Sequence, residues 1–175
     1  RFTHRNEAPT GHAIIQVDQQ GQNSIVIYPG CNARITRAAI DTTLKHFGAG
    51  DILLLQNEIN EIPHLIRKGR EQGLKICFNP APFAAQVPDY PLDQAEILIL
   101  NETEAMGLAG TGSSSDLLER LAEKLPHAEI VLTLGAGGAR YHSPLQELDM
   151  PAVQVQTVDT TAAGDTFIGY FLAAV

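Results

Sequence analysis

The sequence predicts an α/β protein built on a mostly parallel sheet with helices on both faces, plus a small β hairpin near its start. Two observations point there. Short apolar runs alternate with helix-length amphipathic stretches, and several of those runs are continuous, as strands buried on both faces must be.

Ala13 to Asp18 and Ser24 to Tyr28 are β-branched runs joined by the polar, Gly-containing stretch 19–23, a hairpin pattern. Thr36 can cap a helix running to about Phe47, where Gly48 offers a left-handed stop, and Ile52 to Leu55 reads as a strand. A second helix is expected from about Asn60 to Gln72, closed by Gly73, followed by a strand over Leu74 to Phe78. A loop carrying Pro80, Pro82, Pro88 and Pro91 leads to the strand Glu96 to Leu100 and the polar cluster Asn101 to Glu104. Ser113, Ser114 and Ser115 can start a helix to about Lys124, before the strand Ile130 to Leu134. Beyond Gly138, Ala139 to His142 and Val153 to Val158 read as antiparallel strands at one edge, separated by Pro144 and Pro151. Phe167 to Val175 is apolar and helix-compatible. Ligands of such sheets sit at the carboxyl ends of the strands.

The chain has 175 residues, 44% of them hydrophobic and 18% charged, with a mean hydropathy of -0.04, values of an ordinary globular domain. A net charge of -8 argues against nucleic acid or an anionic membrane as the main partner, since either needs clustered Lys and Arg. Cys31 and Cys77 fit no metal-ligand spacing and read as reduced thiols of a cytoplasmic protein. No apolar run approaches the roughly 20 residues of a membrane span, and the start carries no signal-peptide pattern. Both ends are abrupt, so residues 1–175 are read as a single incomplete domain.

The segment Asp159-Thr160-Thr161-Ala162-Ala163-Gly164-Asp165 sets small residues before an apolar helix. Backbone N–H groups can converge there without side-chain obstruction, and the helix dipole adds positive potential, which makes an anion site. Asp165 has two readings. It complements the dipole of the helix, or it accepts the proton of an attacking hydroxyl, as phosphoryl transfer to an alcohol requires. Asn101 and Glu104 at a strand end are explained equally by a capping box. Glu58 follows an apolar strand, where a carboxylate can accept hydrogen bonds from sugar hydroxyls or simply be solvated. The glycine-rich turn Thr133 to Gly138 lacks G-x-G-x-x-G spacing and is not a dinucleotide fingerprint, and no G-x-x-x-x-G-K-[ST] occurs. The histidines show no metal-binding spacing.

Together these segments resemble the ribokinase-like (PfkB) carbohydrate kinases. Asp159 to Phe167 is similar to the family's D-T-x-A-x-G-D signature, Asn101 to Glu104 to its N-x-x-E motif, and Thr133 to Gly138 to its T-x-G-x-x-G loop. Leu54 to Glu58, Asn79 to Pro82, and Thr10-Gly11 with Pro29 to Ala33 also match in order. The resemblance implies a sugar kinase with Asp165 as catalytic base and the amides of Ala162, Ala163 and Gly164 as the anion hole. By the same resemblance, residues 12–30 form lid strands that pair between subunits of a homodimer. Glu58 would contact the sugar, Asn101 and Glu104 would act through water and Mg²⁺, and Thr133, Gly135 and Gly138 would line ATP. Asp159 and the backbone at Thr161 resemble a potassium loop. Ala162 and the Gln56-Asn57-Glu58 context resemble ribokinases more than fructokinases or ketodeoxygluconate kinases, which implies ribose phosphorylated to ribose 5-phosphate. Those other sugar or nucleoside kinases, and a non-catalytic binding relative, are the alternatives.

Overall fold

The computed structural model describes residues 8–18, 23–156 and 160–175. The chain divides into two compact units, one formed by residues 1–31 with 154–175 and the other by Asn32–Val153. Within the first, β1 (His12–Val17) and β2 (Asn23–Tyr28) pair antiparallel as expected, with Ile14 opposite Val26 and Ile15 opposite Ile25. The ribbon is apolar on both faces and both are exposed, with Val26 64% and Ile14 58% accessible. Gly30 closes the segment that follows. It is buried with φ +51°, and a Cβ there would lie 2.4 Å from the Pro9 carbonyl oxygen, so only glycine fits.

The larger unit runs α1 (Arg37–Leu44), β3 (Ile52–Gln56), α2 (Ile62–Glu71), β4 (Lys75–Asn79), β5 (Ile97–Asn101), α3 (Glu102–Ala109), α4 (Ser114–Lys124), β6 (Glu129–Thr133), β7 (Ala139–Ser143) and β8 (Gln146–Met150). These strands form one sheet in the order β3-β4-β5-β6-β7-β8, the first four parallel and the last two joined antiparallel. Thr36 caps α1 through its hydroxyl, 3.2 Å from the Ala39 amide. The helix stops at Leu44 rather than Phe47 because the next turn tightens, with His46 and Phe47 donating to the Thr43 and Leu44 carbonyls. Ser113 and Asp116 form the reciprocal capping box that starts α4.

The core follows the pleat. Leu55, Ile76, Phe78, Leu98, Leu100, Ile130 and Leu132 share one face of the sheet by register and join Ile40, Leu65, Ile66, Ala105, Leu117 and Leu121 from the helices in one cluster. The intervening residues Cys77, Ile97, Ile99 and Val131 are also buried, so the middle strands are covered on both faces, as continuous apolar runs require. Both cysteines are free, and burial pushes the Cys77 thiol up to about 12, which leaves it inert.

At the antiparallel edge, the partner of β7 is the acidic segment Gln146–Met150, with Pro144 and Leu145 in the turn, and not the expected Val153 to Val158. Residues 151–156 take no regular structure, and Val158 lies outside the described residues. Among the described residues no helix is long and apolar enough to cross a membrane.

Burial makes the core prediction specific. Leu98→Ala, at a fully buried site, should lower unfolding free energy by about 2–5 kcal/mol, whereas Leu145→Ala should change it by less than about 0.5 kcal/mol. Urea titrations of the two variants measure the difference.

Candidate active site

Polar side chains gather where β3, β4 and β5 end. Asn101 caps α3, its side-chain oxygen accepting from the Glu104 amide at 3.0 Å. Glu104 reaches back, one carboxylate oxygen accepting from the Asn101 amide at 3.0 Å and the other from Asn101 Nδ2 at 2.9 Å. The capping-box reading is therefore realised, yet the box is not a surface feature, since Glu104 is only 6% exposed. A third donor comes from the neighbouring strand, Asn79 Nδ2 at 3.4 Å. Asn79 is itself buried, donates to the Ile99 carbonyl at 2.8 Å, and accepts from Gln56 Nε2 of β3 at 2.9 Å. Side chains from two adjacent parallel strands thus donate to one carboxylate, and a third strand joins through Gln56 on Asn79. Burial pushes the Glu104 carboxyl above its ordinary range, opposed by the donors of Asn101 and Asn79, which favour the ionised form.

Thr133 ends β6 directly opposite Asn101, and its hydroxyl donates to the Leu100 carbonyl at 3.4 Å. The chain then turns through Gly135–Gly137, held by Leu134 N–H on the Gly138 carbonyl (2.8 Å) and Gly138 N–H on the Gly135 carbonyl (3.1 Å). Gly138, at φ +99°, passes so close to the Met150 carbonyl that no Cβ fits there. Gly135 borders open space. The structure therefore brings Asn101, Glu104, Thr133 and the glycine turn to one edge of the sheet. Glu58, exposed in the turn after β3, lies two strands away on that same edge.

The remaining expected residues belong to the other unit. Residues Thr160 to Ala163 form a turn closed by the Ala163 N–H on the Thr160 carbonyl at 3.1 Å, with Ala162 at φ 59° and ψ 16° in its third position. A type II turn requires that left-handed residue. It feeds α5 (Ala163–Leu172), so Ala163, Gly164 and Asp165 form the helix's first turn rather than preceding it. Of the three amides expected to face an anion, that of Ala163 is engaged by the turn. Gly164 supplies one of the donors that a helix start leaves without an intrahelical acceptor, and open space lies where its Cβ would be. Asp165 and Thr161 are exposed, while Asp159 lies outside the described residues.

Among the described residues no three His, Cys, Asp or Glu side chains converge as a metal cage. A single buried carboxylate at a strand end fits a cation that brings most of its oxygen ligands with it, as Mg²⁺ does with water and phosphate.

Sequence reasoning singled out Glu58, Asn101 and Glu104 but gave Asn79 and Gln56 no role of their own. The available signal was an amide side chain at the carboxyl end of each of two neighbouring apolar strands.

A mostly parallel α/β sheet whose polar side chains gather at the carboxyl ends of its strands is the architecture in which ligand sites form. The family is more particular: the chain belongs to the pfkB family carbohydrate kinases, whose model matches residues 1–175. It is 32% identical over 176 residues to ribokinase of Staphylococcus aureus, covering 95% of this chain and 57% of that protein. It is 31% identical over 168 residues to deoxyribokinase of Salmonella typhi, covering 93% of this chain and 55% of the relative. A solved structure of Arabidopsis thaliana ribokinase complexed with ribose and ATP superposes with a TM-score of 0.76 at 26% identity, covering 97% of this chain and 57% of that one. The chain thus spans little more than half the length of these relatives.

Two outcomes follow from the site geometry. Because the folded-state carboxyl of Glu104 titrates above its unfolded value of about 4.3, its protonated form favours the fold, and stability is lost as pH rises from that value through the raised one. Urea unfolding across this window should show a steeper decline for the parent protein than for Glu104→Gln. Ala162→Gly should raise unfolding free energy by up to about 1.5 kcal/mol, since relief of the left-handed Cβ, about 1–2 kcal/mol, is opposed by the added chain entropy of glycine, about 0.5–1 kcal/mol. A lower melting temperature in that variant would refute the strain argument.

Proposed function

We propose that the protein to which this chain belongs transfers the γ-phosphoryl group of ATP to a hydroxyl of a small sugar, converting ribose to ribose 5-phosphate. One observation carries the reading: an exposed carboxylate, Asp165, sits in the first turn of an apolar helix entered through a left-handed residue, beside a glycine that presents bare main chain. The family and the printed activities of the relatives support it.

In this reading Asp165 accepts the proton of the sugar hydroxyl as its oxygen bonds to phosphorus and the bond to the ADP oxygen breaks. The amides of Ala162 and Gly164 and the dipole of α5 meet the negative charge that grows on the transferred group. Ala163 acts by holding the turn, since its own N–H is on Thr160. Glu58 accepts from sugar hydroxyls, and Thr133, Gly135 and Gly138 line the nucleotide. Mg²⁺ bound with ATP supplies charge neutralisation of the phosphates, and Asn101 and Glu104 orient the water around it. Potassium at Asp159 and the Thr161 backbone belongs to the same proposal, as does a homodimer through the exposed ribbon β1–β2. A second reading, 2-deoxyribose as acceptor, is favoured by the similarity to a deoxyribokinase.

Asp165→Asn in the complete protein should lower kcat by about 10²–10⁴ while ATP affinity is retained, measured by coupled ADP release and calorimetry. Phosphorylation undiminished in that variant would overturn the mechanism. Steady-state rates with ribose, 2-deoxyribose and fructose decide the acceptor, and a preference for fructose would end the ribose assignment.

A further inference from the structure

Glu58 occupies an exposed turn between two asparagines, and each of these commits its amide, its side-chain donor and its side-chain acceptor to a different loop. On one side, Asn57 donates its amide to the Ala81 carbonyl at 2.8 Å and Nδ2 to the Pro82 carbonyl at 2.7 Å, while Oδ1 accepts from the Tyr90 hydroxyl at 2.9 Å. On the other, Asn60 donates its amide to the Asn32 carbonyl at 3.2 Å and Nδ2 to the Ile35 carbonyl at 2.8 Å, while Oδ1 accepts from the Ile35 amide at 2.9 Å. Six hydrogen bonds therefore fix the two residues that flank the segment 58–59. Tyr90 is anchored in turn, its ring 6.1 Å from that of the fully buried Phe78.

A solvated loop glutamate needs none of this. Two half-buried asparagines three residues apart, each engaged at amide, side-chain donor and side-chain acceptor, tie down both flanks of the turn and leave the intervening carboxylate exposed. That is the arrangement of a side chain whose position must be exact, because a hydrogen bond to a sugar hydroxyl weakens steeply once its acceptor leaves the donor's line and distance. Resting on the reading of Glu58 as a sugar contact, we propose that Asn57 and Asn60 are positioning residues that set the Glu58 carboxylate for the acceptor sugar, with Tyr90 as the outer support of Asn57.

The test is a double-mutant cycle in the complete protein with ribose and ATP as substrates. Asn57→Ala and Asn60→Ala should each raise the KM for ribose about tenfold or more, with the KM for ATP and kcat within about twofold of the parent. In a Glu58→Ala background the same substitutions should add nothing further to the ribose KM, because the group they position is gone. Tyr90→Phe keeps the ring and removes one hydrogen bond. It should give a smaller rise in the same parameter, and it carries the test if an asparagine variant fails to fold. Equal losses in both KM values and kcat, or a ribose effect undiminished in the Glu58→Ala background, would overturn the positioning role while leaving the kinase reading intact. A parent protein that phosphorylates no sugar would instead defeat the kinase reading, and this inference with it.

Discussion

A parallel sheet buried on both faces has room for polar side chains only at the ends of its strands, and that constraint organises this molecule. From Ile76 to Phe78, Ile97 to Leu100 and Ile130 to Leu132, every residue is buried, and every side chain is apolar. The first polar positions after those runs are Asn79, Asn101 and Thr133; Asn101 and Thr133 are register partners, whereas the pairing of Phe78 with Leu98 sets Asn79 two residues short of Asn101. What chemistry the larger unit performs has to be performed there.

The edge is held together by amides rather than by ion pairs. Gln56, Asn79 and Asn101 pass hydrogen bonds from strand to strand and end on the carboxylate of Glu104. Amides suit the position because each provides a donor and an acceptor without bringing a second buried charge. Glu104 consequently remains a lone carboxylate in a low-dielectric setting, where its interaction with a cation or a polarised water is stronger than at the surface. The asparagines around Glu58 apply the same device to an exposed group, fixing the backbone on both sides of the carboxylate and leaving it accessible.

Much of this was legible in the sequence, and for identifiable reasons. Strands buried on both faces write continuous apolar runs, so β4 to β6 could be read directly; β3 carries the same kind of run although Ile52 and Leu54 are exposed, and Thr36, Ser113 and Asn101 announced their helices because capping chemistry is local. The edge hairpin was legible only in half. Gln146 to Met150 carries Glu147 and Asp149 on the pleat, an acidic composition poor in β propensity, whereas Val153 to Val155 has the composition of a strand and forms none. The helix α2 begins at Ile62 rather than Asn60 because Asn60 is committed to Ile35 and Glu61 takes a left-handed conformation. In the candidate site, Glu58, Asn101, Glu104, Asp165 and the glycine turn stood out through local spacing. The bridge from Gln56 through Asn79 to Glu104 did not, because its members are more than 20 residues apart in sequence and meet only through strand register.

The central claim is that a helix start carrying Asp165 hands a phosphoryl group to an alcohol. Phosphorus NMR of the complete protein mixed with MgATP and ribose tests it most directly. Loss of the γ-phosphate resonance matched by a phosphomonoester bonded to the sugar's primary carbon, together with ADP, is the result expected. ADP with inorganic phosphate and no sugar ester, or an unchanged ATP spectrum, would contradict it.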